Sequence, residues 1–199
     1  MKKFLSLIVM AIAFAIQLPA QIVTVGNENS SITDYGPIYS LYNNSFSEVI
    51  YLASELSAGT ITQISYQYGF STPLVDPNPT IYMGEVSRSS FSSASDWETS
   101  TLTQVYSGGS VTYNQGWVTI TLSTPFVYSG ANNLLVPYKS QDRERDGDSV
   151  FRQTATTDTK MIINYDDYYI VSGTMPTSSG YNEAFTTRPN TRFTIVGTD

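Results

Sequence analysis

Apolar and polar residues alternate along several short stretches of the chain, which is the pattern of β-strands that bury one face. In the segment 60–69, Ile64, Tyr66 and Tyr68 alternate with polar residues, and in the segment 117–122 every second side chain is aliphatic. Further strands are predicted at residues 22–25, 38–42, 47–52, 80–86, 103–106, 132–137, 150–154, 160–164 and 192–196.

Clusters of Gly, Pro, Asn and Ser separate these segments, and such residues favour turns over continued strands. Helical structure is expected only as single turns, at residues 53–56 and at residues 89–92 within a serine-rich loop. Many short strands between turns indicate an all-β sandwich or barrel. Because no internal repeat or long linker divides residues 21–199, we expect them to form one domain.

The first twenty residues have the composition of a secretory signal peptide. Lys2 and Lys3 precede an apolar run from residue 4 to residue 16, and Ala20 supplies the small side chain expected before a cleavage site. The apolar run is shorter than the roughly 20 residues of a membrane-spanning helix. We therefore expect cleavage after Ala20, a secreted, periplasmic or cell-surface product, and no integral membrane segment afterwards; an uncleaved N-terminal anchor is the alternative.

Two absences limit the chemistry of the exported chain, which contains no cysteine and no histidine. Disulfides, lipid attachment through a cysteine, Ser-His-Asp and Cys-His catalysis and histidine-ligated zinc are excluded. The catalytic groups that remain are carboxylates, Lys, Tyr, Ser and Thr. An enzyme of this composition would be a two-carboxylate glycosidase or a Ser/Lys hydrolase, and the chain contains no Ser-x-x-Lys arrangement.

The exported chain is acidic, and its charge bears on its partners. Without Lys2 and Lys3, 8 basic residues stand against 17 acidic ones, which is a formal charge of −9. A surface of this sign repels nucleic acid and anionic lipid. It tolerates divalent cations and neutral partners such as glycans, although acidity also serves solubility alone.

Several segments in chain order resemble a family of secreted modules. They are PIYSLY (37–42), IYLASEL (50–56), GTITQIS (59–65), IYMGE (81–85), SFSSASDW (90–97), VYSG (105–108), GWVTITLSTPF (116–126), NLLV (133–136) and RPN (188–190). The pattern is similar to the jelly-roll modules of bacterial surface proteins, akin to cleaved-adhesin and haemagglutinin domains. The resemblance implies a jelly-roll β-sandwich of two antiparallel sheets, with a role in adhesion or ligand binding.

A charged segment near residue 145 matches the first half of a calcium loop. Asp142, Glu144 and Asp146 fall on alternate positions and Gly147 follows them, so that several oxygens face one turn. The predicted calcium ligands are Asp142, Glu144, Asp146 and Asp148. Arg143 and Arg145 weaken the negative field between them, and a solvated charged loop without metal is the other interpretation.

A second cluster pairs carboxylates with aromatic rings. Carboxylates accept hydrogen bonds from sugar hydroxyls, and a ring can stack on a pyranose face. The predicted ligand-binding residues are Asp166, Asp167, Tyr168 and Tyr169. Trp97 beside Asp96 also combines a ring with a carboxylate. For this pair we prefer the alternative that the tryptophan closes one end of the sandwich.

These observations predict a non-catalytic secreted module that binds a carbohydrate or a surface protein. A structural subunit of a surface assembly, a spacer module and a carboxylate-based glycoside-active enzyme are the alternatives. An enzyme requires two carboxylates about 5–10 Å apart in a cleft. No spacing singles out such a pair among Glu48, Glu55, Glu85, Glu98 and Glu183.

Overall fold

The structure, a computed structural model, describes residues 19–145, 147, 150–168, 176 and 180–197. Residues 1–18 of the predicted signal peptide lie outside this range. In the described residues no helix has the length and apolar character needed to cross a membrane. The strands are β1 (Ala20–Val25), β2 (Thr33–Asp34), β3 (Asn44–Tyr51), β4 (Gly59–Tyr68), β5 (Leu74–Asp76), β6 (Thr80–Val86), β7 (Thr103–Ser107), β8 (Val111–Tyr113), β9 (Gly116–Tyr128), β10 (Asn133–Ser140), β11 (Phe151–Ala155), β12 (Met161–Asp166), β13 (Tyr181–Phe185), β14 (Thr187–Pro189) and β15 (Thr191–Val196).

The strands form two antiparallel sheets that pack face to face, which confirms the predicted all-β sandwich. In the first sheet β4 pairs with β15 on one side and β9 on the other, and β1 pairs with β15. The end of β4 meets β11, which also pairs with β2 and β14. The second sheet has the order β13-β12-β3-β10-β6-β7. β5 and β8 form a separate short pair.

Most predicted strands are confirmed within a few residues, and the predicted turn at 53–56 is a 3-10 turn at Ala53–Glu55. The strand predicted at 38–42 is wrong, because the carbonyls of Tyr39, Ser40 and Tyr42 accept hydrogen bonds from the Arg143 guanidinium instead of joining a ladder. The helical turn predicted at 89–92 is also absent from the described segment 87–102, where the side chain of Asp96 accepts the backbone N–H of Ser92.

The space between the sheets is filled by alternating aliphatic and aromatic side chains. The predicted inward row of β4, which contains Ile64, Tyr66 and Tyr68, is fully buried there. Facing it from the second sheet are residues such as Leu134 and Tyr138 of β10. The period of two in the sequence therefore selects the core face of each strand, as expected for a sheet with one solvated face.

The outer face of the second sheet carries a smaller apolar cluster beneath the segment 87–102. Ile50 and Leu135 project outward from β3 and β10, and Phe91 and Leu102 of the segment cover them. Trp97 lies in the same cover, with its ring centroid 5.6 Å from that of Phe46. Trp97 therefore packs over a sheet face instead of closing one end of the sandwich.

A carboxylate is enclosed under this cover. Glu48 lies on the outer face of the central strand β3, is fully buried, and accepts a hydrogen bond from the backbone N–H of Glu98 at 3.1 Å. Arg88 forms ion pairs with Asp96 and Glu98, each at 3.0 Å. Burial raises the pKa of Glu48 to about 8, against the lowering effect of the Glu98 N–H and of Arg88. At neutral pH this side chain is mostly protonated.

Because its pKa is raised in the folded state, Glu48 makes stability fall as pH rises from its unfolded pKa of 4.5 to its folded pKa of about 8. We expect Glu48→Gln to stabilise the protein at about pH 9, by at most about 5 kcal/mol, and to change stability little at about pH 4. Urea denaturation of both proteins at both pH values measures this difference. The exposed Glu144→Gln is the control, and an equal effect of Glu48→Gln at the two pH values would contradict the assignment.

Candidate functional site

A row of tyrosine rings lies beside β12 and ends at the surface. Tyr39 stacks between Tyr35 and Tyr165, with both centroid distances at 4.0 Å, and Tyr165 stacks on Tyr181 at 5.7 Å. Tyr42 leans on Tyr165 at 4.5 Å. Tyr181 belongs to β13 and lies directly opposite Tyr165 of β12 in the ladder. The sheet register therefore brings together rings that are far apart in sequence.

Burial sets the protonation state of two tyrosines in this row, Tyr39 and Tyr165. The Tyr165 hydroxyl donates a short hydrogen bond to Glu183, which lies two residues beyond Tyr181 on the same strand. Burial and this acceptor raise the pKa of Tyr165 well above its usual value. Burial, with the charge of Glu183, raises the pKa of Tyr39 to about 12. Both hydroxyls therefore keep their protons at physiological pH.

One buried arginine holds the loop that carries Tyr42. The Arg143 guanidinium donates to the carbonyls of Tyr39, Ser40 and Glu144 at 2.8–3.0 Å, and it makes a short hydrogen bond to the carbonyl of Tyr42. The backbone N–H of Arg143 donates to the carbonyl of Asn43 at 3.1 Å. This side chain therefore ties the segment after Tyr39 to the segment that contains Arg145.

The exposed end of the row forms an open cleft of about 350 Å³. Its walls come from the loop after β2, from the charged segment near residue 145, and from the strands β12 and β13 with the residues that follow β12. The lining residues are Tyr42, Arg145, Asp166, Asp167, Tyr168 and Tyr181. Two rings face solvent: Tyr168 is 89% exposed and Tyr181 is 65% exposed.

The charged groups of the cleft differ in how fully their charges are paired. Asp167 forms an ion pair with Arg145 and accepts the backbone N–H of Asn43 at 3.2 Å, so its charge is largely compensated. Asp166 accepts the backbone N–H of Tyr168 at 2.7 Å, which fixes a tight turn and places the Tyr168 ring at the rim. Arg145 also lies over the Tyr42 ring at 5.9 Å.

The structure brings Asp166, Asp167 and Tyr168 together as the sequence predicts, whereas Tyr169 lies outside the described residues. Sequence reasoning missed Tyr42, Arg145 and Tyr181 as members of this cleft. Each belongs to a different segment, and only the pairing of β12 with β13 and the Arg143 anchor bring them to one place. The high tyrosine content of the sequence was a signal for such a cluster, but composition does not show which tyrosines come together in the fold.

Comparison with known proteins does not assign this chain to a family. No protein-family model matches this chain, and no curated protein and no solved structure matches it at a significant level. The resemblance to adhesin-like modules therefore stays a prediction.

The predicted calcium loop is described only in part. Asp142 and Glu144 are exposed and line a shallow cleft of about 320 Å³ with Val75 and Pro77. The other two predicted ligands, Asp146 and Asp148, lie outside the described residues. Within the described residues no group of three or more Asp, Glu, His or Cys side chains is placed to hold a metal ion. Calcium binding at this loop stays a prediction.

We expect Arg143→Met to lower the free energy of unfolding by about 3 kcal/mol, because it leaves several buried carbonyls without their donor. The change should also weaken the near-ultraviolet circular dichroism of the tyrosine row, since the loop that carries Tyr42 loses its anchor. Urea denaturation and circular dichroism measure the two effects.

Arg152→Met is the matched control, because the half-buried Arg152 makes a longer bond, 3.4 Å, to the carbonyl of Ser30. Its expected cost is below about 1 kcal/mol. Equal costs for the two substitutions would show that Arg143 is not the anchor of the site.

Proposed function

We propose that the protein is an exported, non-catalytic module that binds a carbohydrate in the cleft between Tyr168 and Tyr181. The observation that carries the proposal is the convergence of two exposed rings with Asp166 and an Arg145–Asp167 pair. Ligand sites combine apolar walls with a few placed polar groups, and this cleft has both.

The two exposed tyrosines suit a sugar ring. One face of a pyranose presents C–H groups, which pack on an aromatic ring, while its hydroxyls lie at the edge and need polar partners. Tyrosine offers a large contact area with only two rotatable side-chain bonds, so little conformational entropy is lost on binding. The stacking of Tyr181 on Tyr165 further restricts its ring before a ligand arrives.

The charges of the cleft favour a neutral sugar over an acidic one. Asp166 accepts hydrogen bonds from hydroxyls, and within the described residues no cation pairs with it. Arg145 already pairs with Asp167. A carboxylate-bearing sugar would meet Asp166 and the acidic surface of the chain, and both repel it.

Glycoside cleavage is the alternative that uses the same residues. Asp166 and Asp167 would have to act as a pair, but Asp167 is held by Arg145 and the Asn43 N–H. An ionised, compensated carboxylate is a poor proton donor to a leaving group, which favours binding over catalysis. A protein ligand at the same rings is a further alternative, and the binding experiment distinguishes it.

We expect a neutral glycan identified on an array of host and dietary glycans to lose at least about tenfold in affinity with Tyr181→Ala or Tyr168→Ala, which corresponds to about 1.4 kcal/mol. Tyr181→Phe keeps the ring and should stay within about threefold of the native protein. Asp166→Asn keeps the acceptor for the Tyr168 N–H but removes the charge, and it should weaken binding. Isothermal titration calorimetry measures all four variants.

Two outcomes would contradict the proposal. The absence of any bound glycan on the array would reject carbohydrate binding. The release of new reducing ends from the bound glycan, abolished by Asp166→Asn, would show an enzyme instead of a binding module.

A further inference from the structure

The cleavage site predicted from the sequence lies at the start of the first strand. Ala20 is the first residue of β1 and pairs with Val196 of β15, and Gln21 follows it opposite Ile195. Cleavage after Ala20 makes Gln21 the first residue of the exported chain, while the rest of β1 stays paired in the sheet. The new terminus then lies at the rim of the sandwich.

Glutamine at a chain terminus has a chemistry that an internal glutamine lacks. Its free α-amine can attack the Cδ atom of its own side-chain amide. A bond forms between the α-nitrogen and Cδ, the bond from Cδ to Nε2 breaks, and Nε2 leaves as ammonia with a proton from the amine. The product is a five-membered pyroglutamate lactam, and no oxidant, reductant or second substrate is consumed. Asparagine, one methylene shorter, would need a strained four-membered ring.

The structure leaves the Gln21 side chain free to fold back on its own nitrogen. Gln21 is exposed, as are Ala20 before it and Ile22 after it. Among the described residues its side chain takes part in one hydrogen bond, in which Ser57 Oγ donates to its Oε1 at 3.5 Å. A bond of this length is weak, so it does not hold the amide away from the α-nitrogen. No strand of the described residues pairs with the outer side of β1, so the terminus is open there as well.

A lactam suits the place that Gln21 occupies. Side chains alternate along a strand, so Gln21 shares a row with Val23, which packs against the core, and with the buried Val25. An open terminus would place an ammonium at the end of this apolar row, whereas the lactam is neutral. The lactam also blocks aminopeptidases, which would otherwise shorten the strand toward Val23.

We propose that Gln21 becomes the N-terminus of the exported protein and is converted to pyroglutamate. The modification site consists of the α-nitrogen and the side-chain amide of Gln21, and the conversion removes one positive charge from the chain. This inference rests on the predicted cleavage after Ala20 and not on carbohydrate binding, so either can fail without the other.

The exported protein tests both steps. The full chain is expressed with its own first twenty residues in a Gram-negative host. The product recovered outside the cytoplasm is analysed by intact-mass and N-terminal fragmentation mass spectrometry, both fresh and after storage in neutral buffer. We expect the mass of residues 21–199 less about 17 Da, which is one ammonia, and a terminus that gives no signal in Edman sequencing.

Gln21→Asn is the matched control for this experiment. It should be cleaved at the same place, keep its ammonia and give a readable terminus. A native product that starts elsewhere, or one that starts at Gln21 and retains its ammonia, overturns the proposal.

A second experiment tests whether the fold leaves Gln21 free. Protein with an open Gln21 terminus is produced by removing an N-terminal tag, and the loss of ammonia is followed by mass spectrometry in native buffer and in guanidinium chloride. We expect the folded protein to convert within about tenfold of the rate of the unfolded chain, because one weak hydrogen bond restrains the side chain. Ser57→Ala removes that bond and should convert at least as fast as the native protein. A folded protein that converts more slowly than this limit would show that the strand holds the glutamine in place, and would overturn the proposal.

Discussion

The sandwich depends on burying tyrosine between its sheets, and a tyrosine hydroxyl can be buried only where it has a hydrogen-bond partner. Tyr138 of β10 donates to the fully buried Asp76 at 2.9 Å, and its hydroxyl also lies 2.9 Å from that of Tyr113. Tyr51 reaches Thr191 across the sheets at 2.8 Å. Burial raises the pKa of Asp76 to about 6 in spite of the Tyr138 hydroxyl. These polar contacts cross the interior of a protein that has no cysteine and thus no disulfide to join its sheets.

Tyrosine packing also supports the cleft. Tyr165 is buried against Tyr39, its hydroxyl is held by Glu183, and the next ring in the stack, Tyr181, faces solvent. The cleft is therefore the exposed end of a packed aromatic row. Arg143 adds rigidity because its buried guanidinium donates hydrogen bonds to the carbonyls of Tyr39, Ser40 and Glu144. A site supported in this way loses little freedom when a ligand binds.

The two sheets differ in what covers their outer faces. The second sheet is covered by the segment 87–102, which encloses an apolar cluster and the carboxylate of Glu48. The outer face of the first sheet carries Thr, Ser and Gln side chains that bond across strands, as Ser65 does with Thr119 at 2.9 Å. This polar face needs no cover.

The sequence by itself determined the class of fold and most strands, because alternation such as that of Ile64 and Tyr66 reports burial directly. It also pointed to Asp166, Asp167 and Tyr168, which line the cleft, since neighbouring carboxylates and rings are visible in one segment. It missed short strands such as Tyr181–Phe185, which lack a clear apolar period and form by pairing with β12. Only the tertiary structure decided which distant side chains complete the cleft, because this follows from long-range strand pairing, on which local residue patterns carry no information.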